Sequence, residues 1–376
     1  MIVGVPRERH HHEHRVGLTP FAAARIIQQG HTVLVEKAAG EMAHFLDRDY
    51  QAVGAQTVFS AEEAYRRADI VCWIGQLSGD ELELVEPESI LCSFQHLAVA
   101  PLENVERLME LRATLIGYEI IRDEERHLPV LTPLSEMAGQ MAVQIAAHYL
   151  QNESGGRGIL MGVVPGVPPP TVLVLGAGTA GHAAARYAMA SGAHVIVLDN
   201  DLAKLRSLHH ESPGVVTVLA GLGHLGRYTA LADAVIGAVL IPGGRAPIVV
   251  SEDMVRSMKR GSVIVDLSID QGGCVETGRP TTLDTPTFVV HGVVHYCVPN
   301  MTANIARTAS RALANAALPY LLELVVKGVD GALASDPGLA EGVYLYEGHL
   351  VNERAAGTLG LPVSSLREVM GEGERS

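Results

Sequence analysis

The feature that most constrains the fold is a glycine-rich turn between an apolar segment and a helix-like segment. The apolar run TVLVL is followed at once by Gly176, Gly178 and Gly181 in a G-x-G-x-x-G spacing, and then by HAAARYAMA. In a strand–turn–helix unit of this kind, the first glycine permits a tight turn, the second lets the backbone approach a pyrophosphate, and the third lets helix and strand pack closely. The spacing therefore predicts a Rossmann-type dinucleotide-binding unit, whose helix start offers N–H groups to the phosphates.

An acidic residue further along indicates which dinucleotide this unit binds. Asp199 ends the next apolar segment, HVIVLD, at about 20 residues beyond the first glycine, where such units carry the carboxylate that bonds the adenosine ribose. That carboxylate would repel a 2′-phosphate, so the sequence predicts NAD rather than NADP as the cofactor. A Rossmann-like domain that holds no cofactor is the alternative.

Composition bounds the class of protein. With 376 residues, 48% hydrophobic and 19% charged, the chain is long enough for two globular domains. A net charge of −14 without a Lys/Arg-rich run argues against a nucleic-acid partner. The four cysteines form no C-x-x-C pair, so neither zinc nor disulfides are expected. Without an apolar run of about 18 residues, we expect no membrane segment and a cytoplasmic location.

Strand-like and helix-like segments alternate along most of the chain, which predicts an α/β fold with mostly parallel sheets. The first helix is expected to have Thr19 as its N-cap and Pro20 in its first turn, and to stop at Gly30. Further on, the apolar segment FVVHGVVHYCV at 288–298 is interpreted as a single strand.

Three other segments carry weaker predictions. Residues 301–327 predict a long helix interrupted near Pro319. The final EGERS, 372–376, predicts a frayed tail. The histidine-rich HHHEH, 10–14, is interpreted as a solvated bend rather than as a metal site, and no metal is predicted.

Several motifs follow one another at telling positions along essentially the whole chain: GVPRE (4–8), HRVGLTP (14–20), QHLAVA (95–100), GYE (117–119), PLSEMAGQMA (133–142), MVRSMKRGSVIVDLSIDQGGC (254–274) and VHYCVPNM (294–301). In their order and near-constant spacing, these motifs resemble those of alanine dehydrogenases and of the related alpha-type NAD(P) transhydrogenases. The resemblance implies two Rossmann-like domains, an NAD domain at 131–304 inserted into a discontinuous substrate domain made of 1–130 and 305–376. It also implies a homo-oligomer, a hexamer or a dimer, acting on a small amino acid, imine or 2-oxo acid.

The resemblance assigns three residues to the chemistry. Arg15 matches the residue that binds the substrate carboxylate, a role that suits the forked guanidinium. His96 matches the general acid/base, and a histidine titrates near working pH. Asp270 matches the acidic residue beside the nicotinamide, and it follows a strand as α/β ligand sites do. The alternatives are a surface arginine, a structural histidine and a turn aspartate.

Further matches concern only the cofactor. Asn300 and Met301 correspond to residues that flank the nicotinamide. Weaker correspondences to cofactor contacts are Ser135, Lys204, Val239 and Leu240. For Lys204, an exposed helix face without a cofactor contact is an equally good interpretation.

The sequence departs from the family at one position close to the chemistry. Members carry a lysine in a VKEP-like segment, and that lysine aligns with Gly75 in the local sequence WIGQL. Trp73 and Gln76 are therefore predicted to line a reshaped substrate pocket. One hypothesis is an NAD-dependent enzyme acting on the CH–NH₂ group of an amino acid other than alanine, or on an imine. The alternative is a catalytically silent NAD-binding or redox-sensing homologue.

Overall fold

The computed structural model describes residues 1–10, 12–77 and 79–371, so the predicted tail at 372–376 lies outside the described residues. The strands are β1 (Ile2–Val5), β2 (Thr32–Glu36), β3 (Gln56–Val58), β4 (Ile70–Cys72), β5 (Ile90–Ser93), β6 (Thr114–Gly117), β7 (Thr171–Leu175), β8 (His194–Asp199), β9 (Val216–Leu219), β10 (Ala234–Gly237), β11 (Val263–Asp266), β12 (Thr287–Val290), β13 (Val293–Tyr296), β14 (Val343–Tyr346) and β15 (His349–Leu350).

The α-helices are α1 (Pro20–Gln28), α2 (Asp47–Gln51), α3 (Ala61–Arg66), α4 (Gly79–Leu82), α5 (Leu102–Glu110), α6 (Thr132–Tyr149), α7 (Thr179–Ala190), α8 (Leu202–Glu211), α9 (Leu222–Leu231), α10 (Glu252–Ser257), α11 (Ala306–Ser335), α12 (Pro337–Ala340), α13 (Glu353–Leu359) and α14 (Leu366–Val369). Short 3₁₀ helices occur at Glu41–Ala43, Leu97–Val99, Asn152–Ser154, Leu267–Gln271 and Met301–Ile305.

These elements form two compact units, each built on its own sheet. The first unit contains Met1–Leu134, the short stretch Pro242–Gly244, and the chain from Ala303 onward. The second contains Ser135–Ile241 and Arg245–Thr302. In sequence, the second unit therefore lies between stretches of the first. The roles of substrate and cofactor domain for these units remain predictions.

The sheet of the first unit has the strand order β15-β14-β6-β5-β4-β1-β2-β3. The six strands from β3 to β6 are mutually parallel, in the 3-2-1-4-5-6 order of a Rossmann sheet. The last two strands, β14 and β15, extend the sheet antiparallel beyond β6. Because helices cover parallel strands on both faces, strands such as Ile70–Cys72 are apolar and buried throughout.

The sheet of the second unit has the order β12-β13-β11-β10-β7-β8-β9, again a parallel 3-2-1-4-5-6 arrangement from β9 to β13. This confirms the predicted α/β fold with two Rossmann-like domains. One prediction was wrong: 288–298 is not a single strand but the antiparallel hairpin of β12 and β13. Its two turn residues, His291 (φ 52°) and Gly292 (φ 79°), both have the positive φ that a two-residue hairpin turn requires.

The long helix α11 also departs from its prediction. It runs through Pro319 without a break, and the only residue inside it with non-helical backbone angles is Gly328, at φ 72° and ψ 170°. The stretch Met301–Ser335 is long and apolar enough to cross a membrane, a test that core helices also pass. One side of α11 is buried, including Leu313, Leu321 and Leu324, which is typical of a core helix.

Candidate functional site

The glycine motif of the second unit has the geometry of a phosphate cradle. β7 ends at Leu175, and Gly176 turns the chain with a φ of 101°. A Cβ on Gly181 would collide with the carbonyl oxygen of Gly176, which shows how closely α7 approaches β7. By contrast, a Cβ on Gly178 would meet no heavy atom within 4 Å. Gly178 is the N-cap of α7 and has no side chain to bond the first-turn N–H groups of the helix, which leaves a positively polarised helix start.

Asp199 holds this turn from the neighbouring strand. At the end of β8, its carboxylate accepts hydrogen bonds from the backbone N–H of Ala177 at 2.6 Å and of Asp201 at 2.7 Å. The carboxylate is therefore fixed beside the cradle, where it suits a ribose diol better than a 2′-phosphate. The residues present thus fit a dinucleotide such as NAD. Lys204 lies on the exposed side of α8, consistent with its alternative interpretation as a solvated residue.

Asp270 and Asn300 are brought together in the second unit. Asp270 lies in the 3₁₀ helix Leu267–Gln271 directly after β11, and its Oδ1 accepts a hydrogen bond from the backbone N–H of Asn300 at 2.8 Å. Asn300 has a φ of 51°, a conformation that asparagine tolerates better than most residues. Met301 is buried beside it in the chain. The turn itself is anchored by the buried Asp266, which accepts from the N–H groups of Ser268 and Cys274.

Two of the remaining predicted cofactor residues, Val239 and Leu240, follow β10 at the same carboxyl edge. The N–H of Val239, just beyond β10, donates to the Ser268 hydroxyl at 3.0 Å, and Leu240 is about half exposed. Ser135 lies in α6, one turn before Gly139. A Cβ on Gly139 would collide with the backbone of α7 at Ala180, so α6 packs closely against the cradle helix.

In the first unit, Arg15 is almost completely buried and is oriented by Glu13. The Nε and Nη2 atoms of the guanidinium donate to the two carboxylate oxygens of Glu13, at 2.7 and 2.6 Å. Arg15 is 2% exposed and Glu13 9%. A paired, forked contact of this kind restricts the guanidinium to one plane and orientation. Arg15 is therefore a rigid buried cation rather than a mobile surface residue.

Glu8 connects the segment after β1 to the segment after β4. Its Oε1 accepts a hydrogen bond from the N–H of Ile74 at 2.6 Å. Burial, followed by the charge of Glu13, raises the pKa of Glu8 well above its ordinary value. Glu81, 3% exposed, adds to the same negative field. The backbone beside Gly75 is thus held in a region rich in buried carboxylates.

His96 follows β5 in a strained backbone conformation, with φ 43° and ψ 44°. Its N–H donates to Glu119 at 2.6 Å, and its carbonyl accepts from the side-chain amide of Gln76 at 3.2 Å. Glu119 is itself buried and accepts from the hydroxyl of Tyr344 at 2.9 Å. A non-glycine residue at this φ persists where its surroundings hold it, and such residues are frequent at functional sites.

Arg15, Gln76 and His96 follow β1, β4 and β5, three strands that are adjacent in the parallel sheet. The carboxyl ends of parallel strands share one edge, so the first unit gathers these residues at its ligand-binding edge. Gln76 donates its amide hydrogens to the carbonyls of Gln95, at 2.8 Å, and His96. It therefore orients the His96 segment and offers a substrate only its oxygen.

Trp73 does not lie where the sequence interpretation placed it. It is 2% exposed and belongs to the apolar core of the first unit, together with Tyr65, Leu82 and Leu91. Every residue from Ile70 to Ile74 is buried, so Trp73 continues a fully covered strand into the core. We therefore assign Trp73 a packing role and correct its assignment as a pocket residue.

The sequence interpretation missed Glu13 and Glu119, which hold Arg15 and His96 in place, and Glu8, which bonds the backbone of Ile74 beside Gly75. Glu8 and Glu119 lie inside the quoted motifs GVPRE and GYE, and Glu13 is two residues from Arg15. These glutamates can be seen in the sequence, but no local pattern shows which backbone or guanidinium groups they bond.

Comparison with known proteins gives one consistent result. Residues 4–138 and 142–353 match the families described as "Alanine dehydrogenase/PNT, N-terminal domain" and "Alanine dehydrogenase/PNT, C-terminal domain". An alanine dehydrogenase of Mycobacterium tuberculosis is 44% identical over 371 residues, covering 98% of this chain and 100% of the relative. A solved L-alanine dehydrogenase superposes with a TM-score of 0.88 at 41% identity, covering 96% of this chain and 99% of that chain. A transhydrogenase from Sinorhizobium meliloti has a TM-score of 0.78 at 24% identity, covering 94% of this chain and 99% of that chain, and it shares the fold.

Proposed function

Because this chain belongs to the alanine dehydrogenase/PNT family, we propose that it is an NAD-dependent amino-acid dehydrogenase. The reaction oxidises the CH–NH₂ group of an amino acid with NAD⁺ and water, giving a 2-oxo acid, ammonium, NADH and a proton, or runs in reverse. The observation that carries the proposal is the gathering of Arg15, Gln76 and His96 at one edge of the first sheet. The cradle at Gly178 and the carboxylate of Asp199 support NAD as the cofactor.

The residues of each unit have separate tasks in this proposal. NAD, when bound, supplies the hydride acceptor. Arg15, held in one orientation by Glu13, binds the substrate carboxylate. His96 moves the proton of the reacting nitrogen or oxygen, and its backbone is held for this by Glu119. Asp270 stabilises positive charge near the nicotinamide, with Asn300 fixing one of its oxygens.

We further propose that the preferred substrate is not alanine, because position 75 has no side chain. The loss of a cation from a buried anion site costs about 2–5 kcal/mol of binding. A Cβ at Gly75 would have only His10 within 4 Å among the described residues, so the first atom of a side chain has room there. The open volume favours a substrate larger than pyruvate, or a protonated imine, which carries its own positive charge.

The test follows NADH absorbance with ammonium and a panel of 2-oxo acids, together with preformed cyclic imines. We expect turnover with at least one larger 2-oxo acid or imine, and weak turnover of pyruvate. The variant Gly75→Lys is expected to raise kcat/KM for pyruvate at least about 10-fold. Gly79→Lys is the matched control, because a Cβ at Gly79 meets nothing within 4 Å.

The outcomes separate the two hypotheses. NADH binding without turnover of any compound would support a silent or redox-sensing homologue instead. Wild-type turnover of pyruvate that equals turnover of larger 2-oxo acids, with no gain in Gly75→Lys, would contradict the substrate proposal alone.

We also propose a homo-oligomer, a hexamer or a dimer, in the cytoplasm. This proposal rests on the family and not on a contact between chains. Light scattering on the purified protein measures the mass directly, and a monomer would contradict it.

A further inference from the structure

The first unit has a switch point between β1 and β4, on which this inference depends. In the order β3-β2-β1-β4-β5-β6, the chain proceeds from β1 toward one edge of the sheet and from β4 toward the other. Ligands of such sheets bind outside the carboxyl ends of the strands at this crevice. The described parts of the segments that leave the two strands here are 6–10, 12–19 and 73–77.

Two hydrogen bonds tie these segments together. The first joins Glu8 to the N–H of Ile74. The second joins the imidazole Nε2 of His10 to the carbonyl oxygen of Gln76 at 3.3 Å. Because a carbonyl only accepts, Nε2 carries the hydrogen. At 3.3 Å the bond is longer than the usual 2.7–3.2 Å, so this N–H is available for sharing with a second acceptor.

The ring of His10 also borders the vacant side-chain position at Gly75. An ideal Cβ on Gly75 has His10 Cδ2 as its one neighbour within 4 Å, at 4.0 Å, among the described residues. A substrate group that occupies the volume beside Gly75 would therefore meet the Cδ2–Nε2 edge of His10. Among the described residues, no other side chain comes within 4 Å of that Cβ position.

The surrounding charges create a need for a donor at this place. Glu13 and Glu81 are buried, Glu8 is half-buried with a pKa raised by its surroundings, and the guanidinium of Arg15 pairs with Glu13. The oxygens of a 2-oxo acid that enters beside these carboxyl groups need a hydrogen-bond donor. The amide of Gln76 donates to backbone carbonyls, so the N–H of His10 is the donor beside Gly75.

We propose that His10 is a specificity-determining residue that contacts the substrate beside Gly75, donating a hydrogen bond to an oxygen of the 2-oxo acid. The inference rests on the proposed function and adds to it a residue outside the predicted site. It also explains how an anionic substrate could be bound beside Gly75, where the lysine of other family members is missing.

The experiment compares His10→Ala with His14→Ala, a change of another histidine in the same segment. We expect His10→Ala to raise KM for the best 2-oxo acid of the panel about 10-fold, with the KM for NADH unchanged. His14→Ala should leave both values unchanged. Because His10 is exposed, His10→Ala should fold with the wild-type melting temperature, and the melting temperature of the half-buried His14 variant is measured beside it.

A double-mutant cycle with Gly75→Lys gives the sharper result. A lysine at 75 supplies a cation at the same place, so the effect of His10→Ala on KM should fall below about 3-fold in that background. Equal effects in both backgrounds, or equal effects of His10→Ala and His14→Ala, would overturn the inference.

Direct binding separates this inference from the proposed function. Calorimetry with pyruvate, 2-oxobutyrate and phenylpyruvate needs no turnover. If no compound is reduced but one binds, and His10→Ala weakens that binding, the dehydrogenase proposal fails while the inference stands. If none of the three binds the wild-type protein, the inference fails as well.

Discussion

Replacing Gly178 with alanine tests cofactor binding at the cradle separately from the stability of the fold. Gly178 has φ −73° and ψ −173°, which alanine adopts without strain, and the added Cβ meets no protein atom within 4 Å. The free energy of unfolding should therefore stay the same or rise by about 0.4–1 kcal/mol. The methyl group, however, occupies the surface on which a pyrophosphate approaches the backbone.

The magnitude follows from the bonds that the methyl group displaces. A hydrogen bond to a charged group contributes about 1.5–3 kcal/mol. The loss of one phosphate contact at the start of α7 therefore weakens NADH binding about 10- to 100-fold. Titration calorimetry gives the dissociation constant, and differential scanning calorimetry gives the melting temperature of the same sample.

Two glycine variants complete the test. Gly223→Ala adds a methyl group to equally open space in the same unit, and it should leave the NADH affinity unchanged and the melting temperature unchanged or slightly higher. Gly181→Ala should lower the melting temperature as well as the affinity, since its Cβ collides with the Gly176 carbonyl. If Gly178→Ala binds NADH as tightly as the wild type does, the assignment of this turn as the cofactor cradle is refuted.

Three further predictions concern Glu8, Asp270 and Trp73. The folded-state pKa of Glu8 is raised, so its carboxyl group stabilises the fold at low pH, and this contribution is lost as pH rises through the folded pKa. Glu8→Gln keeps an acceptor for Ile74, so its advantage over wild type in urea unfolding should grow from pH 4 to pH 8; a constant difference would contradict this. Asp270→Asn keeps an acceptor for Asn300 and should lower kcat about 100-fold with little change in NADH affinity, and an equal loss of affinity would count against the assigned role. Trp73→Ala should cost about 3–5 kcal/mol of unfolding free energy because it opens a cavity, whereas a changed substrate profile at unchanged stability would restore Trp73 to the pocket.

Local patterns predicted the parts of this structure that depend on neighbouring residues. The Thr19 hydroxyl accepts from the N–H of Ala22 and Pro20 begins α1, as its capping sequence predicts. The turn at Gly176 between β7 and α7 could also be predicted, because glycine spacing and apolar periodicity are both local signals. The hairpin at His291 escaped prediction, since a histidine with positive φ is uncommon and leaves no sequence signal.

Hydrogen-bond partners that are distant in the sequence could not be predicted from local patterns. The backbone of His96 is held by Glu119, and Glu119 by Tyr344, contacts that exist only once β5, β6 and β14 share a sheet. Pro319 gave a misleading signal, because the long apolar face of α11 maintains the helix through it, and the break comes at Gly328 instead. The burial of Trp73 likewise depends on the helices that cover the sheet around β4, and the hydrophobicity of the segment alone does not reveal them.

The sheet of the first unit is completed by strands that come last in the chain, and this has a consequence for synthesis on the ribosome. β14 and β15 pair onto β6, so the nascent chain carries the buried strand Thr114–Gly117 as an open edge until residues 343–350 have emerged. The strands β1 to β6 all lie within residues 2–117, so they can pair before the later strands are made. Stalled or truncated translation products that end before Val343 should thus be prone to edge-to-edge aggregation and depend on chaperones, whereas the finished chain protects that edge with its own C-terminal hairpin.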